Sequence, residues 1–137
     1  MSLVLDASAT MAWLYPEEIA DEIAAVFELI ANDGAWVPDL WRIEVANSLC
    51  VALRRGRITA FRRRESILDL KSLPILCDTH TQEAAWDRTL ELADLHHLTV
   101  YDATYLELAL RLALPLATLD GDLRQAALLE GVGLLGV

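Results

Sequence analysis

Short apolar runs alternate along the chain with longer segments of helical periodicity. The apolar runs predict five strands, at residues 3–6, 35–38, 74–77, 114–119 and 133–137. The segments between them predict seven helices, at residues 8–14, 17–32, 40–55, 59–72, 81–96, 101–113 and 121–130. Strands that alternate with helices are typical of a parallel α/β sheet. With 137 residues, 55% of them hydrophobic, the chain suits one domain over residues 1–137.

Four acidic residues occupy informative places in this pattern. Asp6 ends the first apolar strand, and Asp120 directly follows the strand pattern "LPLATL". Asp102 stands at the start of the helix "YDATYLELAL", and Glu44 interrupts an apolar helix in "LWRIEVANSL". Open α/β sheets bind ligands outside the carboxyl ends of their strands. We therefore expect the side chain of Asp6 to emerge at a ligand-binding edge.

Asp102 has two interpretations. Taken alone, an acid in the first helical turn caps free backbone N–H groups and opposes the helix dipole. Taken as a set, the acids favour a metal pocket, because buried like charges are costly unless cations neutralise them. Carboxylates with few His or Cys nearby suit Mg²⁺ or Mn²⁺ rather than zinc. Asp122 shares a turn with Asp120, but Asp120 directly follows the strand and is favoured as the fourth acid.

Charge is strongly segregated within the net charge of −10. Residues 42–71 contain eight basic and three acidic residues, whereas residues 1–41 contain eight acids and no Lys or Arg. The basic residues of the middle segment are Arg42, Arg54, Arg55, Arg57, Arg62, Arg63, Arg64 and Lys71. They fit either an RNA-binding surface on an acidic protein or a solvated pair of helices. Composition does not separate these two interpretations.

Targeting signals and cysteine pairs do not stand out in the sequence. The chain shows neither a signal-peptide pattern nor an apolar run of membrane-spanning length, so we expect a cytoplasmic protein without a membrane partner. Cys50 and Cys77 form no CxxC pair, and we expect both to be buried free thiols.

The segments "VLDASA", "LWRIEVANSL", "YDATYLELAL" and "LATLDGDL" occur in this order. Together they closely resemble the PIN-domain ribonucleases, in particular the VapC-type toxins of toxin–antitoxin pairs, over essentially the whole chain. The resemblance implies a three-layer α/β/α domain with a central, mostly parallel sheet of about five strands. It also implies an acidic, metal-dependent site. The residues that it assigns are the acids Asp6, Glu44, Asp102 and Asp120, the further candidate Asp122, and the polar supporters Ser8, Asn47 and Thr118.

An endoribonuclease of this kind would use one or two Mg²⁺ or Mn²⁺ ions to activate water for attack on an RNA phosphodiester. Asp6, Asp102 and Asp120 are the expected ligands, whereas Glu44 is either a ligand or a residue that positions water. Family resemblance implies an RNA substrate, a homodimer and an antitoxin protein that covers the acidic site. The sequence does not identify the RNA that is cleaved.

Two other classes of protein compete with the nuclease. The first is the class of receiver domains and aspartyl-phosphate phosphatases. The phosphatase needs a second Asp where Ser8 stands, and the receiver needs a Lys after a late strand, whereas the only Lys is Lys71. These departures disfavour the first class. A catalytically silent PIN-like module, which binds metal only to support association with a protein partner, remains open. Metal-dependent RNA cleavage would distinguish it from the nuclease.

Overall fold

Five short parallel strands form the centre of the protein in a computed structural model that describes residues 1–15 and 19–137. The strands are β1 (Leu3–Leu5), β2 (Ala35–Val37), β3 (Ile75–Cys77), β4 (Leu116–Ala117) and β5 (Leu134–Leu135). Their order in the sheet is β3-β2-β1-β4-β5, and every neighbouring pair is parallel. The five predicted strands are confirmed, although each is shorter than its apolar run. Asp6 already turns towards a helix, and Thr118 lies beyond the last residue of β4.

Eight helices surround this sheet within the described residues. They are α1 (Ala7–Trp13), α2 (Asp21–Asp33), α3 (Trp41–Arg54), α4 (Ala60–Ser72), α5 (Thr81–Ala84), α6 (Arg88–His96), α7 (Val100–Leu112) and α8 (Gly121–Leu129). The start of the predicted helix at 17–32 falls partly on residues 17 and 18, which lie outside the described residues.

The predicted single helix at 81–96 is wrong. The chain leaves helical geometry at residues 85–87, where Asp87 adopts φ −125° and ψ −105°, and two helices result. Trp86, in this turn, is 90% exposed, so its indole lies outside the apolar core. The helical spacing of apolar residues continues across the break. This spacing shows which residues are apolar, but it does not reveal a local change in backbone dihedral angles.

The central strand β1 and helix α7 form the middle of the core. All three residues of β1 have no exposed surface, as expected for a strand that has neighbours on both sides and is covered on both faces. Helix α7 contacts β1, β4, α6 and α8, and its residues 103–109 are buried. The carboxyl end of β1 and the amino end of α7 carry Asp6 and Asp102, so the core determines where these two acids lie.

An ion-pair network of two buried carboxylates and the partly exposed Arg111 lies at the carboxyl-terminal half of α7. Arg111 donates hydrogen bonds from Nη1 and Nη2 to the two carboxylate oxygens of Asp78, at 3.1 and 2.7 Å, and from Nε to Glu107 at 2.7 Å. Thr81 also donates to Asp78, at 2.8 Å. These hydrogen bonds outweigh burial and hold the pKa of Asp78 below its usual range. The network connects the end of β3 and the start of α5 to α7.

Two further expectations concern the cysteines and membrane association. Cys50 and Cys77 are free thiols, as predicted, but both are only partly buried. Cys77 lies on β3, which is an edge strand of the sheet that the described residues form. None of the helices in the described part of the chain combines the length and the apolar character needed to cross a membrane.

Replacing Arg111 with Met should reduce the free energy of unfolding by about 3 kcal/mol, because it leaves two buried carboxylates without a cation. Asp78 and Glu107 are only 3% and 4% exposed. Urea unfolding at pH 7 measures the loss. The control is Arg88→Met, since Arg88 pairs with Glu91 and Glu130 at a solvent-exposed position and should change stability by less than about 1 kcal/mol. Equal stability of the two variants would contradict a structural role for the network.

Candidate active site

Asp6 is the most buried acid of the predicted pocket. It follows β1 directly, and its backbone N–H donates to the carbonyl of Ala117 on the neighbouring β4. The side chain is 5% exposed, and its Oδ2 accepts hydrogen bonds from the hydroxyls of Ser8 at 2.6 Å and Thr118 at 2.7 Å. Burial raises the pKa of Asp6, whereas the two hydroxyl groups act in the opposite direction. Ser8 and Thr118 therefore stabilise a carboxylate that its surroundings otherwise disfavour.

Thr118 connects Asp6 to Asp120. Its Oγ1 accepts a hydrogen bond from the backbone N–H of Asp120 at 3.1 Å while its own proton is directed to Asp6. The side chain of Asp120 caps α8 by accepting the N–H of Leu123 at 3.0 Å. The turn after β4 therefore has a defined conformation, with Asp120 beside the carboxyl end of β1.

Asp102 occupies the first turn of α7 but does not cap it. Thr99 is the N-cap, and its Oγ1 accepts the backbone N–H of Asp102 at 3.1 Å. The helix-cap interpretation of Asp102 is therefore wrong, because the capping hydroxyl comes from a residue three positions earlier. The Asp102 side chain is half-buried, and the charges of the other three acids also act on it.

Glu44 comes from the first turn of α3. Its Oε1 accepts a 2.5 Å hydrogen bond from the hydroxyl of Tyr105, a fully buried residue of α7. Burial and the nearby charge of Asp6 raise the pKa of Glu44, and the Tyr105 hydrogen bond opposes them. Burial and Glu44 in turn raise the pKa of Tyr105 far above its ordinary value, so the phenol remains protonated.

Tyr105 is the member of this site that the sequence interpretation missed. The sequence feature that could have indicated Tyr105 is its position three residues after Asp102, which places both side chains on one face of α7. An aromatic residue at helical spacing in an apolar segment is ordinarily a core residue. Tyr105 is part of the core, but it also provides a polar contact to the acid cluster.

The four acids are close enough to influence one another's charge. Burial raises the pKa of Asp102 to about 6, and the negative charges of Asp120, Asp6 and Glu44 contribute to the shift. No Lys, Arg or His forms a salt bridge with any of the four acids in the described parts of the chain. The structure therefore brings these carboxylates together, and the protein's own basic side chains leave them unneutralised.

The chemistry of the donors fits a hard divalent cation. The cluster offers carboxylate oxygens, which Mg²⁺ and Mn²⁺ prefer. A cation would relieve the repulsion that adds to burial in raising the pKa of Asp102. Within residues 1–15 and 19–137, no three His, Cys, Asp or Glu side chains are arranged to hold a metal ion as they stand. The donor set is thus suitable in chemistry but is not a preformed coordination shell.

Two predicted site residues lie at the margin of this cluster. Asp122 is exposed in the first turn of α8 and lines a shallow cavity with Leu95 and the two neighbouring histidines. Asp120, and not Asp122, contributes to the raised pKa of Asp102. Asn47 is exposed one turn after Glu44, and within the described structure no hydrogen bond connects it to the acids.

The basic segment lies mainly at the other end of α3. Arg54 is ten residues after Glu44, which corresponds to about 15 Å along a helix. Arg54, Arg55 and Arg64 are exposed. The Arg57 guanidinium lies 4.2 Å from the centre of the Tyr15 ring, and Arg62 donates to the Leu14 carbonyl at 3.4 Å. The remaining members differ, since Arg42 lies two residues before Glu44 and Arg63 is partly buried in α4.

An all-parallel five-stranded sheet with four acids gathered beside its central strands defines the class to which this chain belongs. Residues 3–129 match the model of the PIN domain, and the chain is a member of the PIN-domain family. It is similar to Ribonuclease VapC3 from Pyrobaculum aerophilum, with 32% identity over 125 residues that cover 91% of this chain and 94% of the relative. The family resemblance predicted from the four sequence segments is confirmed.

Solved structures show the same fold. The crystal structure of PAE2754 from Pyrobaculum aerophilum has a TM-score of 0.71 and 26% identity, and the match covers 98% of this chain and 83% of that one. The crystal structure of FitAcB from Neisseria gonorrhoeae has a TM-score of 0.66 and 17% identity, with coverage of 98% and 96%. The second likeness concerns the fold alone. The predicted PIN-like α/β/α architecture is confirmed.

Replacing Asp102 with Asn should raise the free energy of unfolding at pH 7, without added metal, by on the order of 1 kcal/mol. The pKa of Asp102 is raised from 3.8 to about 6 in the folded protein, so folding disfavours its charged form. This cost is absent below about pH 4 and develops fully as the pH rises past 6. Solvent screening at this half-buried position keeps the effect small.

Urea unfolding of wild type and Asp102→Asn at pH 4 and pH 7 measures this difference. Asp94→Asn is the matched control, because it removes the same charge from an exposed position on α6. We expect the control to change stability by less than about 0.5 kcal/mol at both pH values. An equal gain in both variants would attribute the effect to net charge and not to the acid cluster.

Proposed function

We propose that this protein is a divalent-metal-dependent endoribonuclease that acts as the toxin of a toxin–antitoxin pair. The observation that carries the proposal is the group of four mutually repelling carboxylates, which has no salt-bridge partner among the described residues. Such a group is costly to maintain in a fold unless a function requires it. Membership of the PIN-domain family and 32% identity to a protein named a ribonuclease support RNA cleavage as that function.

In this proposal, Asp6, Asp102 and Asp120 bind one or two Mg²⁺ or Mn²⁺ ions directly or through water, and Glu44 either joins them or positions the attacking water. Bound there, the cation supplies Lewis acidity that activates water and stabilises the charge developing on the phosphate. Asp122 is a further candidate ligand, at the margin of the cluster.

Polar neighbours orient the acids. Ser8 and Thr118 donate to the same oxygen of Asp6, at 2.6 and 2.7 Å, and thereby restrict the carboxylate to one orientation. Thr118 also receives the N–H of Asp120, so a single hydroxyl group fixes the relation between two acids. Partners of this kind strongly affect metal affinity. Asn47, which is exposed one turn after Glu44, would contact substrate or water in this proposal.

In this proposal, the basic segment at residues 42–71 binds the phosphates of the RNA backbone. The arginines of this segment are the proposed RNA contacts: Arg42, Arg54, Arg55, Arg57, Arg62, Arg63 and Arg64. Arg42 is close to Glu44 in the first turn of α3, whereas Arg54 lies about 15 Å from Glu44 along the helix axis. An RNA chain that reaches from one end of α3 to the other would have its phosphates beside arginines while the acids act on one phosphodiester.

The proposed partners follow from the same site. An antitoxin that presents an Arg to the carboxylate cluster would form charge-assisted hydrogen bonds and exclude the metal. The homodimer and the cytoplasmic location are further parts of the proposal, supported by resemblance to VapC-type toxins.

Purified protein should cleave RNA with Mg²⁺ or Mn²⁺ and lose this activity in EDTA. Asp102→Asn should reduce cleavage by at least about 100-fold, because it removes one charged ligand while it nearly preserves shape. A panel of structured and single-stranded RNAs, assayed without antitoxin, measures the effect. Asp94→Asn, which removes an exposed charge outside the site, should cleave like wild type.

Each alternative outcome has a distinct meaning. Cleavage by Asp102→Asn at the wild-type rate would reject the carboxylate site. A wild-type protein that binds Mn²⁺ and a protein partner but cleaves no RNA in the panel would favour the catalytically silent interaction module.

Replacing Arg54, Arg55 and Arg64 together with Ala should weaken RNA binding and flatten its dependence on salt, because fewer counterions are released. The expected decrease in the slope of log K against log salt is about 0.7 for each phosphate contact that is lost. Fluorescence anisotropy with RNA in EDTA, where no cleavage is expected, measures this slope between about 50 and 200 mM salt. Arg88→Ala, outside this segment, is the control. An unchanged slope in the triple variant would identify α3 and α4 as a solvated helix pair.

A further inference from the structure

We propose that Tyr105 is a positioning residue of this acidic site: its hydroxyl holds the Glu44 carboxylate in the orientation in which it serves a bound Mg²⁺ or Mn²⁺. This inference rests on the proposed metal-dependent function and assigns a role to a residue outside the four acids. Tyr105 acts through Glu44 and does not react itself. Its side chain has no exposed surface, so it does not touch solvent or a substrate in the open site.

The contact itself is short and connects two separate elements. Tyr105 on α7 donates to Oε1 of Glu44 on α3 at 2.5 Å, across 61 residues of sequence. A hydrogen bond from a hydroxyl to a carboxylate at this distance belongs to the strong, charge-assisted class. Because Asp102 lies three residues earlier on α7, the same helix carries one acid of the cluster and fixes a second.

Glu44 depends on such a contact more than Asp6 and Asp120 do. Asp6 is held by two hydroxyls and by its burial after β1, and Asp120 is held by the N–H of Leu123. Glu44 has a longer side chain, is only half-buried, and is repelled by the charge of Asp6. Among the described residues, Tyr105 is its only side-chain hydrogen-bond partner. Without the phenol, rotation of Glu44 towards solvent would reduce the repulsion and remove the carboxylate from the cluster.

The ring of Tyr105 makes this restraint rigid. Tyr105 is the largest fully buried side chain in the described core, and its backbone lies in the seven-residue buried stretch of α7. A close-packed ring has little freedom to follow a moving carboxylate. The hydroxyl position is therefore determined by the core, and the position of Glu44 is determined by the hydroxyl.

The test is Tyr105→Phe, which keeps the ring and its packing and removes only the donor. Isothermal titration of the full chain with Mn²⁺, without RNA, should show at least about 10-fold weaker affinity than wild type. Cleavage at saturating RNA should decrease while the KM for RNA stays within about twofold, because Tyr105 does not contact the substrate. Thr104→Val is the matched control: it removes the neighbouring buried hydroxyl of α7, which donates only to the Val100 carbonyl. Its Mn²⁺ affinity should stay within about twofold of wild type.

A second background separates positioning from general stability. In a Glu44→Ala protein, adding Tyr105→Phe should not weaken Mn²⁺ binding further, since there is no carboxylate left to position. The same loss in both backgrounds would overturn the proposal, as would wild-type affinity in Tyr105→Phe. A wild-type protein that binds no Mn²⁺ would instead refute the proposed metal-dependent function, and this inference with it. Weaker Mn²⁺ binding by both Glu44→Ala and Tyr105→Phe than by wild type, with no further loss in the double variant, would support both.

Discussion

Electrostatic repulsion among four carboxylates is the constraint around which this site is built. Asp6, Glu44, Asp102 and Asp120 come from four separate parts of the chain, yet the pKa of Asp102 is raised to about 6 by burial and by the negative charges of the other three acids. The fold opposes this repulsion with hydrogen-bond donors and not with basic side chains. Ser8, Thr118 and Tyr105 each donate a hydroxyl proton to one of the acids. Donors of this kind keep the carboxylates ionisable and in place without neutralising them, which leaves that role to a cation.

A second group of buried acids shows the contrast. Asp78 and Glu107 are as buried as Asp6, but Arg111 lies between them and forms hydrogen bonds with both. The pKa of Asp78 is therefore lowered, whereas the pKa of Asp102 is raised. Helix α7 takes part in both groups, because its first turn carries Asp102 and its last turn carries Arg111.

Much of this arrangement can be predicted from local sequence. The strands and most helices are predicted because burial on both faces produces continuous apolar runs and one-sided burial produces helical periodicity. The positions of Asp6 and Asp120 after strands follow from the same pattern. The break at residues 85–87 is not predicted, because apolar spacing continues through it. The capping of α7 by Thr99 also escapes prediction, since Thr99 and Asp102 are both acceptable caps by residue type.

The sequence by itself determined the alternating α/β pattern, the order of the four acids and the segregation of basic residues, because each depends on neighbours in the chain. Only the tertiary structure decided which acids meet and which partners they have. Glu44 and Tyr105 are 61 residues apart, and Asp6 and Thr118 are 112 apart, yet both pairs share hydrogen bonds. Such contacts depend on how helices pack on the sheet, and residue type alone does not distinguish a core tyrosine from one that also holds a carboxylate.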